Sequence, residues 1–228
     1  MRLKELTNKI ELEDILEKYN YNWNKISQNY KYLPENFLEF YKDKLNWEII
    51  SKQKLSESFI EKYKDYVNWS IISEYQQLNE FFLEKYKNKI NWCIISYSQK
   101  LNEPFIEKYK DNLNWFWISL KIKLSESFIA KYKNYVDWKQ ISIFQELSEP
   151  FIAKYKNYVD WEQISSYQKL SEPFIEKYKN YVDWSHISSA QELSEPFIEK
   201  YKDYVDWDWL SLKKNFSDEF RKKNERLY

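Results

Sequence analysis

The chain has 228 residues, 36 basic and 36 acidic side chains and no net charge; 43% of it is hydrophobic and 20% aromatic. That length can bury a sizeable core, and the charge balance removes any global pull toward nucleic acid or an anionic membrane. One cysteine, Cys93, excludes an intramolecular disulfide framework, and no apolar run reaches the roughly 18 residues of a membrane-spanning helix.

The first stretch, MRLKELTNKIELEDILEKY, is too charged for the apolar core of a secretory leader. An intracellular, cytoplasmic protein is therefore expected. There is no glycine, and 33 lysines stand against three arginines and three alanines. Such a bias follows from AT-rich codons and carries no chemistry.

Residues 1–22 read as a degenerate first repeat and N-terminal cap. From Trp23 the chain is periodic: Trp23, Trp47, Trp69, Trp92, Trp115, Trp138, Trp161, Trp184 and Trp207 recur at a spacing that settles to 23 residues. The unit is L-S-E-P-F-I-E-K-Y-K-N-Y-V-D-W-x-x-I-S-x-x-Q-x, and segments 147–161, 170–184 and 193–207 are nearly identical. Residues 23–215 form the tandem repeats, and residues 216–228 a polar C-terminal capping helix.

Each unit contains two helix starts. Ser171-Glu172-Pro173 and its equivalents open helix A: serine caps free N–H groups, glutamate suits the positive helix end and proline fits the first turn. Phe174, Ile175, Tyr178 and Val182 then mark one face. The recurrent Asn or Asp after Tyr-Lys, such as Asn157 and Asn180, is expected to end helix A in a left-handed conformation. Asp160, Asp183 and their equivalents open helix B, whose face is set by Trp161, Ile164, Ser165 and Gln168 at offsets 0, 3, 4 and 7.

Helices of about nine and seven residues are too short to stand alone, so copies must stack. The fold class is all-α: an αα-solenoid of about nine 23-residue two-helix repeats with capping ends. A β-solenoid or leucine-rich repeat has an overlapping period, but lacks the paired caps. Fully buried indoles are expected to form the spine, and the small Ser at +4 to let helices approach. Glutamates and lysines on helix A are expected to pair at i,i+4.

These units, with the AT-rich composition, resemble the short tandem-repeat proteins encoded by giant DNA viruses of protists over about residues 12–220. The resemblance implies a helical repeat fold and expression inside an infected host cell, in its cytoplasm. It implies no functional residue.

No constellation for catalysis, cofactor or metal emerges. His186 is the only histidine and Cys93 the only cysteine, whereas zinc needs several N or S ligands. A serine nucleophile needs a base, and paired carboxylates recur in every copy. No enzymatic activity and no cofactor are expected.

The informative signal lies in the variable positions of helix B, which turn apolar in the middle of the array: Ile71, Tyr75, Ile94, Tyr97, Phe116, Trp117, Leu120, Ile143, Phe144 and Tyr167. If exposed, they form a surface for an as yet unidentified protein partner; if pressed between neighbouring helices, they are core. The implied role is a non-enzymatic scaffold for protein–protein interaction. The alternatives are a nucleic-acid-binding repeat array or a self-assembling, virion-type component. Glu61, Glu84 and Glu107 interleave with the helix A lysines and argue against nucleic acid; no membrane association is expected.

Overall fold

The structure, a computed structural model, describes residues 13–14, 16–29, 33, 35–213 and 216–224. It is an αα-solenoid built from 23-residue copies, with no strand among the described residues. The chain divides into two compact units, Met1–Asn114 and Trp115–Tyr228, each built the same way. Most of the expected N-terminal cap, and the junction at residues 214–215, lie outside the described residues.

In unit 2 helix B is represented by Trp138–Phe144, Trp161–Tyr167 and Trp184–Ala190, and helix A by Glu149–Lys154, Glu172–Lys177 and Glu195–Lys200. In unit 1 the corresponding elements include Trp69–Tyr75 and Trp92–Ser98, with Glu57–Lys62, Glu80–Lys85 and Glu103–Lys108. The expected caps form at both starts. Ser148 accepts the Phe151 amide with its hydroxyl, at 3.3 Å, and Pro150 sits in the first turn. Asp160 accepts the Gln163 amide at 3.2 Å.

Helix A is shorter than expected, six residues rather than about nine. Its exit also differs. Positive φ occurs among the described residues only at Asn20 and Tyr21, so the recurrent Asn or Asp is not a left-handed stop. Instead the Tyr155 carbonyl accepts both the Tyr158 amide at 2.8 Å and the Val159 amide at 3.1 Å. This tight right-handed turn satisfies the carbonyl without a left-handed residue, which is how a glycine-free chain ends the helix.

The core combines an aliphatic row from helix B with aliphatic and aromatic side chains from helix A. The residue at +3 of helix B is fully buried in every described copy, from Ile26, Ile50 and Ile72 to Ile164, Ile187 and Leu210. Helix A adds Phe151, Ile152, Tyr155 and, after the turn, Val159, all buried. Burying each such side chain stabilises by about 1.5–3 kcal/mol. Within each unit, consecutive B helices pack directly on one another.

The tryptophans are not the spine. All those that set the period are only half-buried. Trp161 donates its indole N–H to the Lys156 carbonyl at 2.8 Å, and the same bond recurs at Trp47, Trp69, Trp92, Trp138, Trp184 and Trp207. The need to satisfy that donor holds the ring at the rim of the core. From there it stacks on the next copy: Trp161 lies 5.4 Å from Tyr178 and 5.3 Å from Tyr181 between ring centroids.

Within each unit, three polar ladders tie successive copies together. The Ser142 hydroxyl donates to the Trp138 carbonyl at 2.7 Å and accepts the Asp160 amide at 3.0 Å. The serine at +4 is therefore a hydrogen-bonding bridge as well as a small residue. Gln168 donates to the carbonyls of Ser142 and Gln145 at 2.9 and 2.8 Å, and accepts the Leu147 amide at 3.0 Å. Gln76, Gln99, Gln145 and Gln191 repeat this arrangement; Ile122 occupies the slot in the first copy of unit 2. Glu149 accepts the Ser171 amide at 2.6 Å, and the same bond to a carboxylate one copy earlier holds the helix A caps Ser56, Asn79, Ser148, Ser194 and Ser217.

Ion pairs also run between copies rather than at i,i+4. Lys108 reaches Glu84 at 3.1 Å and Lys200 reaches Glu176 at 2.5 Å, while Lys87–Glu84 is a local pair at i,i+3. Helix A is too short for a regular i,i+4 pairing, and its neighbour lies closer.

In the closing helix, Asp218–Lys223, Phe220 is buried and Arg221, Lys222 and Lys223 are exposed. Asn224, where other copies have Tyr, is buried and donates to Glu199 at 2.9 Å.

Candidate interaction surface

Helix B packs its 0, +3, +4 and +7 residues inward, which leaves +1, +2, +5 and +6 at or near the surface. The ten sequence-identified residues occupy these outward slots, but not all to the same degree.

In unit 1, Tyr75 is exposed and Ile71, Ile94 and Tyr97 are half-buried. Partial burial, and secondarily the Glu74 carboxylate, push the Tyr97 hydroxyl above its usual pKa, so it is a neutral hydrogen-bonding group. In unit 2, Phe116, Phe144 and Tyr167 are exposed, at 42%, 53% and 61%, while Trp117, Leu120 and Ile143 are half-buried. Positions +2 and +5 therefore pack partly against the next B helix, and +1 and +6 face solvent. Phe116 and Trp117 meet edge to face, with centroids 5.2 Å apart.

A small hollow of 150 Å³ opens between Leu120 and Phe144, floored by Ile122 and Gln145 and rimmed by Lys121, Lys123 and Glu146. Lys123 and Glu146 pair across it at 3.4 Å, both well exposed. A dent of mixed polar and apolar lining beside exposed aromatic side chains is a form that protein interfaces take. In Trp161–Tyr167 only Tyr167 keeps the apolar character, and in Trp184–Ala190 the corresponding slots hold Ser185, His186, Ser189 and Ala190.

Sequence reasoning missed the recurrent exposed tyrosines Tyr66, Tyr135, Tyr158, Tyr181 and Tyr204, and four exposed residues that depart from the average repeat. Phe81 and Phe40 are 77% and 75% exposed on helix A of unit 1, and Trp209 and Leu212 are exposed near the end of unit 2. Comparison between copies carries the signal: Phe81 stands where Pro104, Pro150, Pro173 and Pro196 stand, and Phe40 stands where Lys62 and Lys85 stand.

The reactive side chains are dispersed. His186 Nδ1 lies 2.9 Å from Asp183 Oδ1. The Asp183 carboxyl is held below its ordinary pKa first by the His186 backbone N–H, against some opposing burial. Cys93 is exposed. Among the described residues no three His, Cys, Asp or Glu side chains are placed to hold a metal ion, and no helix is long and apolar enough to cross a membrane.

Fold and surface together define a repeat protein of the two-helix solenoid class. Comparison with known proteins finds no matching family model, no matching curated protein and no matching solved structure.

Proposed function

We propose that this protein is a non-enzymatic scaffold that takes a protein partner on the outer face of its B helices, centred on Trp115–Lys121, Trp138–Phe144 and Trp161–Tyr167. The observation that carries this reading is the solvent exposure of Phe116, Phe144 and Tyr167 beside the Leu120 hollow. Aromatic side chains on a rigid helix are effective binding anchors, and the interlocked ladders fix them in place before a partner arrives, which lowers the ordering cost of association.

Single-stranded RNA is a weaker fit. Such binding needs a continuous cationic groove, whereas most helix A lysines face glutamates of the preceding copy.

The test compares affinity capture from the native cells using the wild-type chain and Phe144→Asp, a substitution at an exposed position that leaves the fold intact. Specific partners lost with the aspartate support the reading. An unchanged capture profile overturns it, and concentration-dependent light scattering of the purified chain alone would point to self-assembly instead.

A further inference from the structure

On helix A the inter-copy ion pairs break twice in succession, both times within unit 2. Elsewhere the glutamate two residues before the helix A tyrosine meets the lysine one copy later: Glu39–Lys62, Glu61–Lys85, Glu84–Lys108, Glu176–Lys200 and Glu199–Lys223. The two missing glutamates are Ala130 and Ala153. Lys154 and Lys177, which those carboxylates would have met, have no ion-pair partner among the described residues.

The same replacement opens a space. Between helices Glu149–Lys154 and Glu172–Lys177 runs a groove of 410 Å³. Pro150, Ala153, Pro173 and Phe174 give it an apolar floor, and Lys177 and Glu149 stand at its edges. Glu149 is already engaged, accepting the Ser171 amide at 2.6 Å. Net charge shifts accordingly. The helix A segment of this copy carries Glu149, Lys154 and Lys156, one negative against two positive charges; the segment two copies later carries Glu195, Glu199 and Asp203 against Lys200 and Lys202.

We propose that this face of helix A docks an acidic, apolar peptide segment of a protein partner, whose carboxylates pair with Lys177 at the groove and with Lys154 at the Ala130 gap one copy earlier, and whose apolar side chains rest on Pro150, Ala153 and Pro173. The spacing fits an extended ligand. Adjacent helices lie about 8–10 Å apart, and a polyproline-II chain rises about 3.1 Å per residue with three residues per turn. Acidic residues at every third position therefore share one face about 9 Å apart and match Lys154 and Lys177. A nucleic-acid backbone fits less well, because its denser charge would meet Glu149 and Glu172 and gain nothing from the apolar floor. The site lies on helix A and is independent of the helix B surface proposed above.

The test is fluorescence anisotropy on the full chain with a fluorescein-labelled peptide, Glu-Leu-Pro-Glu-Leu-Pro-Glu, and its all-Gln counterpart. Ala130→Glu with Ala153→Glu gives the decisive variant, since glutamate is the residue that other copies carry there and the fold accepts it. The acidic peptide should bind and the Gln peptide bind about tenfold more weakly, with binding screened by added salt. The double glutamate variant and Lys177→Gln should each weaken it about tenfold, and Phe144→Asp should leave it unchanged, which separates this site from the helix B reading. No binding, equal binding by the double glutamate variant, or tighter binding of an oligothymidylate at the same lysines would overturn the proposal.

Discussion

Replacing Gln168 with leucine isolates the contribution of one rung of the glutamine ladder. The side chain is buried and makes three hydrogen bonds: two donated to the preceding copy, at Ser142 and Gln145, and one accepted from Leu147 at the start of its own copy. A typical bond contributes about 1 kcal/mol net, while an orphaned buried donor costs about 1–3 kcal/mol. Leucine leaves the Leu147 amide and two carbonyls without these partners, so the loss should be about 3 kcal/mol. With a urea slope of about 2 kcal/mol per molar for a unit this size, the midpoint should fall by about 1.5 M. Urea titration followed by tryptophan fluorescence, with far-UV circular dichroism as a second probe, measures it. The exposed neighbour Lys169→Gln serves as a control and should shift the midpoint little. A midpoint for Gln168→Leu within about 0.2 M of wild type would refute the argument; the natural Ile122, an apolar residue in the same slot, makes that outcome a fair challenge.

Ser142→Ala should orphan the buried bridge to Asp160 and cost about 1–3 kcal/mol, with hydrogen exchange of the Asp160 amide rising ahead of its neighbours; uniform exchange would count against the bridge. Acid should weaken the ion-pair rungs. Glu84 is depressed first by Lys87 and then by Lys108, and Glu176 by Lys200. A depressed folded pKa gives stability that is present above the ordinary value of 4.5 and lost as pH falls through the folded value. Lys108 and Lys200, raised by Glu84 and Glu176 respectively, give the mirror result: their contribution is present below the ordinary 10.5 and lost as pH rises through the folded value. The melting temperature should hold steady between those limits and fall outside them, less so at high salt; a steady rise on acidification would contradict the pairing.

The helical class was legible because two residue types repeat on fixed arcs. The Ile164 position is apolar and fully buried in every described copy, the Ile175 position in every copy before the closing helix, where Arg221 stands there, and the Ser171 and Asp160 caps announce where each helix begins. What the pattern could not convey was contact across copies. Trp161 reads as a core residue by size, yet its N–H must find the Lys156 carbonyl, and that requirement holds it at the rim. Glu149 reads as a local helix-end charge, and its second task, holding Ser171, is visible only in three dimensions. The variable B positions point outward as anticipated, but the difference between +6, exposed as at Tyr167, and +5, half-covered as at Ile143, is set by the neighbouring B helix, which the sequence of one copy does not display. Asn157 and its equivalents looked like helix terminators, but a double-accepting Tyr155 carbonyl does that work.

The ladders have a genetic corollary. Every rung asks only that the adjoining module present the same serine, glutamine and glutamate, and segments 147–161, 170–184 and 193–207 are nearly interchangeable. Recombination that gains or drops a whole period therefore restores every bond it interrupts. A change of length by whole periods leaves no interface mismatched, while the outward-facing residues of each module are free to differ.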